Sequence, residues 1–250
     1  MINPKYFKHF DSCPYTLKFS CWNIQGFKSR LLGNKFQDPD FLSEIKNSNV
    51  VGISETHIYD DILDELDVAG YKRLEYKNRK QFKKANKSSG GIAIFAKNEI
   101  AYLFEPFKTD NKDIIWMKMK KKFHNNPNDI YLGSAYLSEV NGTQSISEKI
   151  RNLAVDIETI KGNGGDILIQ GDLNARTSNV KDFVKPDKFD KVDFEFFDLP
   201  NRNSADKEIN PKGKELLDLC KTYNLCIING RKTGDCMGNF TSFQPGGIAS

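Results

Sequence analysis

Four short apolar stretches in this chain each run for a few residues as a strand would and then end in polar side chains suited to a metal ion or a phosphate. They are 17–25 (LKFSCWNIQ), 50–57 (VVGISETH), 130–137 (IYLGSAYL) and 166–175 (DILIQGDLNA). Between the first two, Phe41, Leu42 and Ile45 recur at helical spacing after the start signal Asp38-Pro39-Asp40, which predicts a helix over 40–47. Between the last two, 145–161 puts Ile146, Ile150, Leu153, Ile157 and Ile160 on one helical face. Strand, helix, strand therefore occurs twice.

A duplicated α/β half with polar strand ends implies two sheets packed together, helices outside, and one site where the ends converge. Asn23 and Glu55 would come from the first half, Tyr136 and Asp172 from the second. Further strands are expected at 90–96, 114–120 and 226–229, and a last helix at 213–223 with Leu216, Leu217 and Cys220 on its buried side. The stretches 71–87 and 181–211 read as surface loops, and Ser88-Ser89-Gly90-Gly91 as a tight entry into a strand. Trp22 reads as core. No linker separates two domains, so the expected organisation is an N-terminal extension, 1–16, followed by one domain over 17–250.

Composition narrows the class. A chain of 250 residues can bury roughly 70–75% of its unfolded surface, and 18 Phe and 9 Tyr supply core material. No apolar run approaches the roughly 20 residues that span a bilayer, and no secretory leader is visible at the start, so the reading is intracellular. Five cysteines without a Cys-x-x-Cys spacing argue against a disulfide framework or a zinc knuckle and for reduced thiols.

Phosphodiester hydrolysis needs a cation beside the phosphate, a base to activate water, and donors for the oxygens that gain charge. Carboxylates and carboxamides are the hard oxygen ligands that suit Mg²⁺. Asn23, Glu55, Asp172 and Asn174 provide such groups. Alternate residues of an extended segment project to one side, so Asp172 and Asn174 are expected to face one phosphate together.

The ordered set Trp22-Asn23, Ser54-Glu55-Thr56-His57, Ser89-Gly90-Gly91, Ala135-Tyr136, Gly171-Asp172-Leu173-Asn174-Ala175, Asn210 to Gly213 and Phe240-Thr241 resembles the endonuclease/exonuclease/phosphatase family. The resemblance is strongest to the endonuclease domains of non-long-terminal-repeat (LINE-type) retrotransposons and covers nearly all of 17–250. It implies a four-layer α/β/β/α sandwich of the deoxyribonuclease I type and a metal-dependent DNA endonuclease using Mg²⁺ or Mn²⁺. Carried over by position, Glu55 would bind the metal with Asn23 beside it. Tyr136 would stabilise the transition state through its hydroxyl, Asp172 would orient or deprotonate the attacking water, and Asn174 would hold a phosphate oxygen. His57 is not counted as a ligand. Arg202, Ser204, Asp206, Asn210 and Gly213 resemble a recurring structural stretch. The resemblance also implies DNA as partner, an associated or fused reverse transcriptase, and a nuclear location.

One departure stands out. Such domains end in Ser-x-x-Asp and, further on, Asp-His, whereas Gly247-Ile248-Ala249-Ser250 looks like the start of the first motif and closes the sequence given. None of His9, His57 or His124 occupies the place of the later His. The expectation is a sandwich lacking its last strands, and an inactive fragment. Two other readings stay open: a phosphatase or phosphodiesterase of the same fold acting on small molecules or lipids, and a non-catalytic binding protein of the same descent. Within the basic, aromatic-interleaved run, Lys77, Arg79, Lys80, Lys83 and Lys84 are the candidate nucleic-acid contacts.

Overall fold

The computed structural model describes residues 16–29, 33–58, 65–78, 90–138, 145–183, 201–231, 234–239 and 241. They form two compact units, one drawing on 142–157 and 174–250, the other on 15–141 and 158–173.

All the named strands lie in the second unit: β1 (Phe19–Asn23), β2 (Lys28–Ser29), β3 (Gly33–Asn34), β4 (Val50–Ser54), β5 (Tyr71–Lys77), β6 (Ile92–Lys97), β7 (Phe104–Phe107), β8 (Ile114–Met119), β9 (Ile130–Tyr136) and β10 (Asp166–Asp172). One sheet has the order β1-β4-β6-β5 and the other β10-β9-β8-β7, with β2 and β3 as a separate pair. Only β1 with β4 and β9 with β10 pair in parallel within the two larger sheets. A parallel pair needs a crossover, and α1 (Pro39–Lys46) and α2 (Ile146–Gly162) are those crossovers. The duplicated strand–helix–strand halves expected from the sequence are present.

Strand alternation decides which side chains meet. Val50, Ile92, Ile94 and Ala96 from one sheet join Ile115, Met117, Met119, Leu132 and Tyr136 from the other in a single buried cluster between them. Val51, Ile53, Ala93 and Phe95 point the other way and pack with Ile45 of α1, with Phe41 and Leu42 against them. Fully burying each such side chain is worth about 1.5–3 kcal/mol. On the far face of the second sheet a Cβ at Gly165 would stand 2.4 Å from Tyr131 and 2.9 Å from Ile160, so the end of α2 lies over β9. The layer order is helix, sheet, sheet, helix, the α/β sandwich expected from the sequence.

α1 begins where Asp38 caps it, its Oδ1 accepting from Asp40 N at 2.9 Å and Phe41 N at 3.3 Å, with Pro39 at the first helical position. In the first unit α3 (Pro211–Tyr223) is capped by Asn210, which accepts from Gly213 N at 2.7 Å, and stops at left-handed Asn224. Leu216, Leu217 and Cys220 of α3 are buried as expected.

Several expectations are corrected. The 71–87 stretch begins with a strand, β5, rather than a loop. It lies at a sheet edge with a register irregularity between Arg73 and Glu75, and an edge strand tolerates the charges that make Tyr71–Lys77 look like a loop. β7 was not foreseen; it too is an edge strand, and it carries Pro106. The stretch 226–229 holds a single bridge residue, Cys226, and no strand. Trp22 is 38% exposed, resting edge-on against Phe41 with ring centroids 6.5 Å apart, so it is not core. Among the described cysteines, Cys21, Cys220, Cys226 and Cys236 are free thiols. No helix among the described residues is long and apolar enough to cross a membrane.

Candidate active site

Register brings the polar strand ends to one edge of the second unit. Asn23 pairs with Ser54, Ser54 with Ile92 and Ile92 with Lys77 across one sheet, while Asp172 pairs with Tyr136 and Ala135 with Ile114 across the other. Because side chains alternate, Asn23 faces inward with Phe19, and Tyr136 inward with Leu132.

Glu55 lies just beyond β4 in a left-handed turn: its φ is 54° and that of His57 is 53°, values that cost free energy for non-glycine residues. Neighbouring backbone holds the turn. Gly26 N donates to Glu55 O at 2.7 Å, Phe27 N to Thr56 O at 3.0 Å, and His57 N to Gly90 O at 2.9 Å. Gly91, at φ +93°, is required there, since a Cβ on it would come within 2.3 Å of Thr56 Oγ1. The Gly90-Gly91 pair is thus the tight strand entry that the sequence suggested, and it also shapes the Glu55 turn.

One amide joins the two halves. Asn23 Nδ2 donates to Glu55 Oε1 and to Asp172 Oδ2, each at 2.8 Å, while Asn23 Oδ1 accepts from Gln25 N at 3.1 Å. Tyr136 donates its hydroxyl to the same Glu55 Oε1 at 2.8 Å, and His57 Nε2 lies 3.4 Å from Glu55 Oε2. The His57 hydrogen bond, followed by those from Asn23 and Tyr136, holds the Glu55 carboxyl down at about 2 against the opposing effect of burial. Glu55 is an anion throughout the physiological range. Asn23, Glu55, Tyr136 and Asp172, singled out from sequence, are therefore in one hydrogen-bonded group.

Asn174 belongs to the other unit. β10 ends at Asp172 and Asn174 has φ 47°, so the extended alternation expected to align it with Asp172 stops short of it. Its carbonyl accepts from Asn210 Nδ2 at 3.1 Å. Arg79, Lys80, Lys83 and Lys84 lie outside the described residues. Lys77 donates from Nζ to Asn111 O at 2.6 Å and Ile114 O at 2.8 Å, fastening β5 to the start of β8. Of the stretch read as structural, Asp206 takes a two-toothed bond from Arg176 at 2.8 and 2.7 Å, and Arg202 donates to the carbonyls of Thr177 and Ser178. A Cβ at Gly213 would stand 1.8 Å from Arg176 O.

His57 is the site residue that sequence reasoning set aside. Its signal was adjacency: two residues after Glu55, with Gly26 leaving room for its ring, since a Cβ there would lie 3.2 Å from His57 Nδ1. Among the described residues no group of three or more His, Cys, Asp and Glu side chains is arranged to hold a metal ion. The oxygen donors that meet here are the carboxylates of Glu55 and Asp172. That fits Mg²⁺, which keeps several waters and takes one or two carboxylates.

Fold and site together define an α/β/β/α sandwich with a carboxylate–amide–phenol cluster at its strand ends. No family model and no curated protein matches the chain. Among solved structures it is similar to the Xenopus laevis APE2 catalytic domain, at 16% identity over 80% of this chain and 66% of that one, TM-score 0.47. An AP endonuclease from Leishmania major matches at 14% identity over 64% and 56%, TM-score 0.46. A mannosyl-6-phosphatase from Bacteroides thetaiotaomicron matches at 16% over 64% and 66%, TM-score 0.44. The chain spans just over half of the Leishmania enzyme's length.

Proposed function

We propose that this chain is a phosphodiester hydrolase domain dependent on a divalent cation, and more narrowly a DNA endonuclease of the retrotransposon type. The observation that carries the reading is Asn23 Nδ2 bonded at 2.8 Å to both Glu55 and Asp172, because it brings two anionic oxygen donors from separate halves to one point. When bound, Mg²⁺ or Mn²⁺ would supply charge neutralisation at the phosphate and polarise a water. Glu55 would hold it, with Asn23 beside it. Asp172 then orients or deprotonates the attacking water, and the Tyr136 hydroxyl donates to the oxygen that gains charge. DNA is proposed over a small phosphate ester on the strength of the basic, aromatic-interleaved sequence over 72–87.

The test is Mn²⁺ binding, followed by electron paramagnetic resonance, in the wild type and in Glu55→Gln and Asp172→Asn. Each variant should lose at least about tenfold in affinity. Unchanged binding in both would remove the reading. Nicking of supercoiled plasmid with Mg²⁺, compared with Glu55→Ala and Asp172→Ala, then separates an endonuclease from a phosphatase or a binding protein.

A further inference from the structure

We infer that the end of the second sheet away from this site carries a stacking platform for single-stranded nucleic acid, built on Tyr102, Phe123, Lys121 and Lys122. β7 and β8 pair with Phe104 opposite Met119. That register sets the 3-10 turn Ala101–Leu103, just before β7, beside the 3-10 turn Lys121–Phe123, just after β8. Tyr102 and Phe123 meet there edge to face, with centroids 6.0 Å apart and planes at 88°. Tyr102 is 71% exposed and Phe123 38%. A ring pair left this open to water has a face ready for a third ring.

The cations around it are sorted by the acids nearby. Lys118 is paired with Asp129 at 2.8 Å and Lys120 with Glu105 at 2.7 Å. Lys121 and Lys122 are exposed and stand in no ion pair among the described residues, and Lys122 Nζ lies 4.8 Å from the Phe123 centroid. The turn is braced: Asp129 Oδ1 accepts from Lys121 N at 2.7 Å, and His124 Nδ1 from Asn126 N at 3.1 Å. Two exposed rings flanked by two exposed lysines, Lys121 near Asp129 and Lys122 over Phe123, match bases and phosphates of a strand whose bases are unpaired. A duplex would offer the phosphates but not the open base faces. The inference stands apart from the hydrolase reading, since β9 runs from Ile130, opposite Met119, to Tyr136 at the other edge, a span of roughly 20 Å.

The experiment is fluorescence anisotropy with a labelled oligothymidine and a duplex of equal length, both in EDTA so that no cleavage intervenes. The wild type should prefer the single strand. Tyr102→Ala/Phe123→Ala should lose about tenfold or more in single-strand affinity, with duplex binding little changed and far-UV circular dichroism unaltered. Lys121→Ala/Lys122→Ala keeps the rings and guards against a folding defect. It should lessen the log–log salt slope by about 1.4, the share of two single-strand phosphates. Single-strand affinity unchanged in both double variants, or equal wild-type affinity for strand and duplex, would overturn the platform. Loss of Mn²⁺ binding in the Glu55 and Asp172 variants bears only on the hydrolase reading.

Discussion

The two strand–helix–strand halves deliver their acids differently. In the half built on β9, α2 and β10, Asp172 is the last residue of a strand and is paired directly with Tyr136, so ladder hydrogen bonds fix both. In the half built on β1, α1 and β4, Glu55 lies beyond the strand in a left-handed turn held by Gly26, Phe27 and Gly90. One acid is positioned by secondary structure and the other by a pinned loop. Loop-borne groups are the easier to displace, which makes Glu55 the sensitive member of the pair.

Glycine substitution probes that contrast most strongly. At Gly171, φ +133°, a Cβ would stand 2.0 Å from the Ala135 carbonyl oxygen, a backbone atom that cannot move without breaking the β9–β10 ladder. Gly171→Ala should cost on the order of 3–5 kcal/mol in urea denaturation. At Gly91 the added Cβ meets the Thr56 side chain, which can turn aside, so Gly91→Ala should cost roughly 1–2 kcal/mol. Mn²⁺ affinity should fall further in Gly91→Ala than stability does, because the Glu55 turn shifts. Equal costs at the two glycines would erase the distinction between ladder and loop.

Removing the Tyr136 hydroxyl tests whether the halves are joined through Glu55. Tyr136→Phe should lower stability by about 1 kcal/mol, and chemical-shift changes should reach the Glu55 turn. Shifts confined to β9 would mean that the hydroxyl bond does not couple them.

The smallest effect is the dependence on pH. The Glu55 carboxyl sits at about 2 in the folded chain, against an ordinary 4.5. Between those values the unfolded chain binds more protons, so the contribution of Glu55 is fully present above about pH 4.5 and is lost as pH falls through 2. Glu55 is partly open to solvent, which keeps the effect small. Glu55→Gln should flatten the stability profile between pH 4.5 and 2 and lower the plateau above it, leaving the slope of that plateau unchanged. An unchanged slope would place the carboxyl outside the hydrogen-bonded group.

What was legible in the sequence follows how each element is buried. β4, β6, β8 and β9 are interior to their sheets, and their apolar runs stand out in the sequence. β5 and β7 lie at sheet edges and carry Lys, Arg, Glu and Pro residues that conceal them, whereas β1 and β10, at the opposite edges, keep apolar runs that show. Trp22 misled for a related reason: its bulk suggests core, but it sits on an edge strand, 38% exposed, with its ring against Phe41 of α1. The inward group Asn23, Glu55, Tyr136 and Asp172 was found because each follows an apolar run. His57 was passed over because nothing in linear order reveals that a left-handed turn brings its ring back to Glu55.

Alternation and helical faces are properties of neighbours along the chain, and they determined the paired halves, the crossover helices and the polar strand ends. Tertiary structure alone decided that a single amide would lie between Glu55 and Asp172, that Asn174 would leave the strand, and that Lys77 would fasten β5 to β8. The reason is that these depend on register and backbone handedness across residues up to 149 positions apart, and such long-range pairing leaves no periodic trace in the sequence.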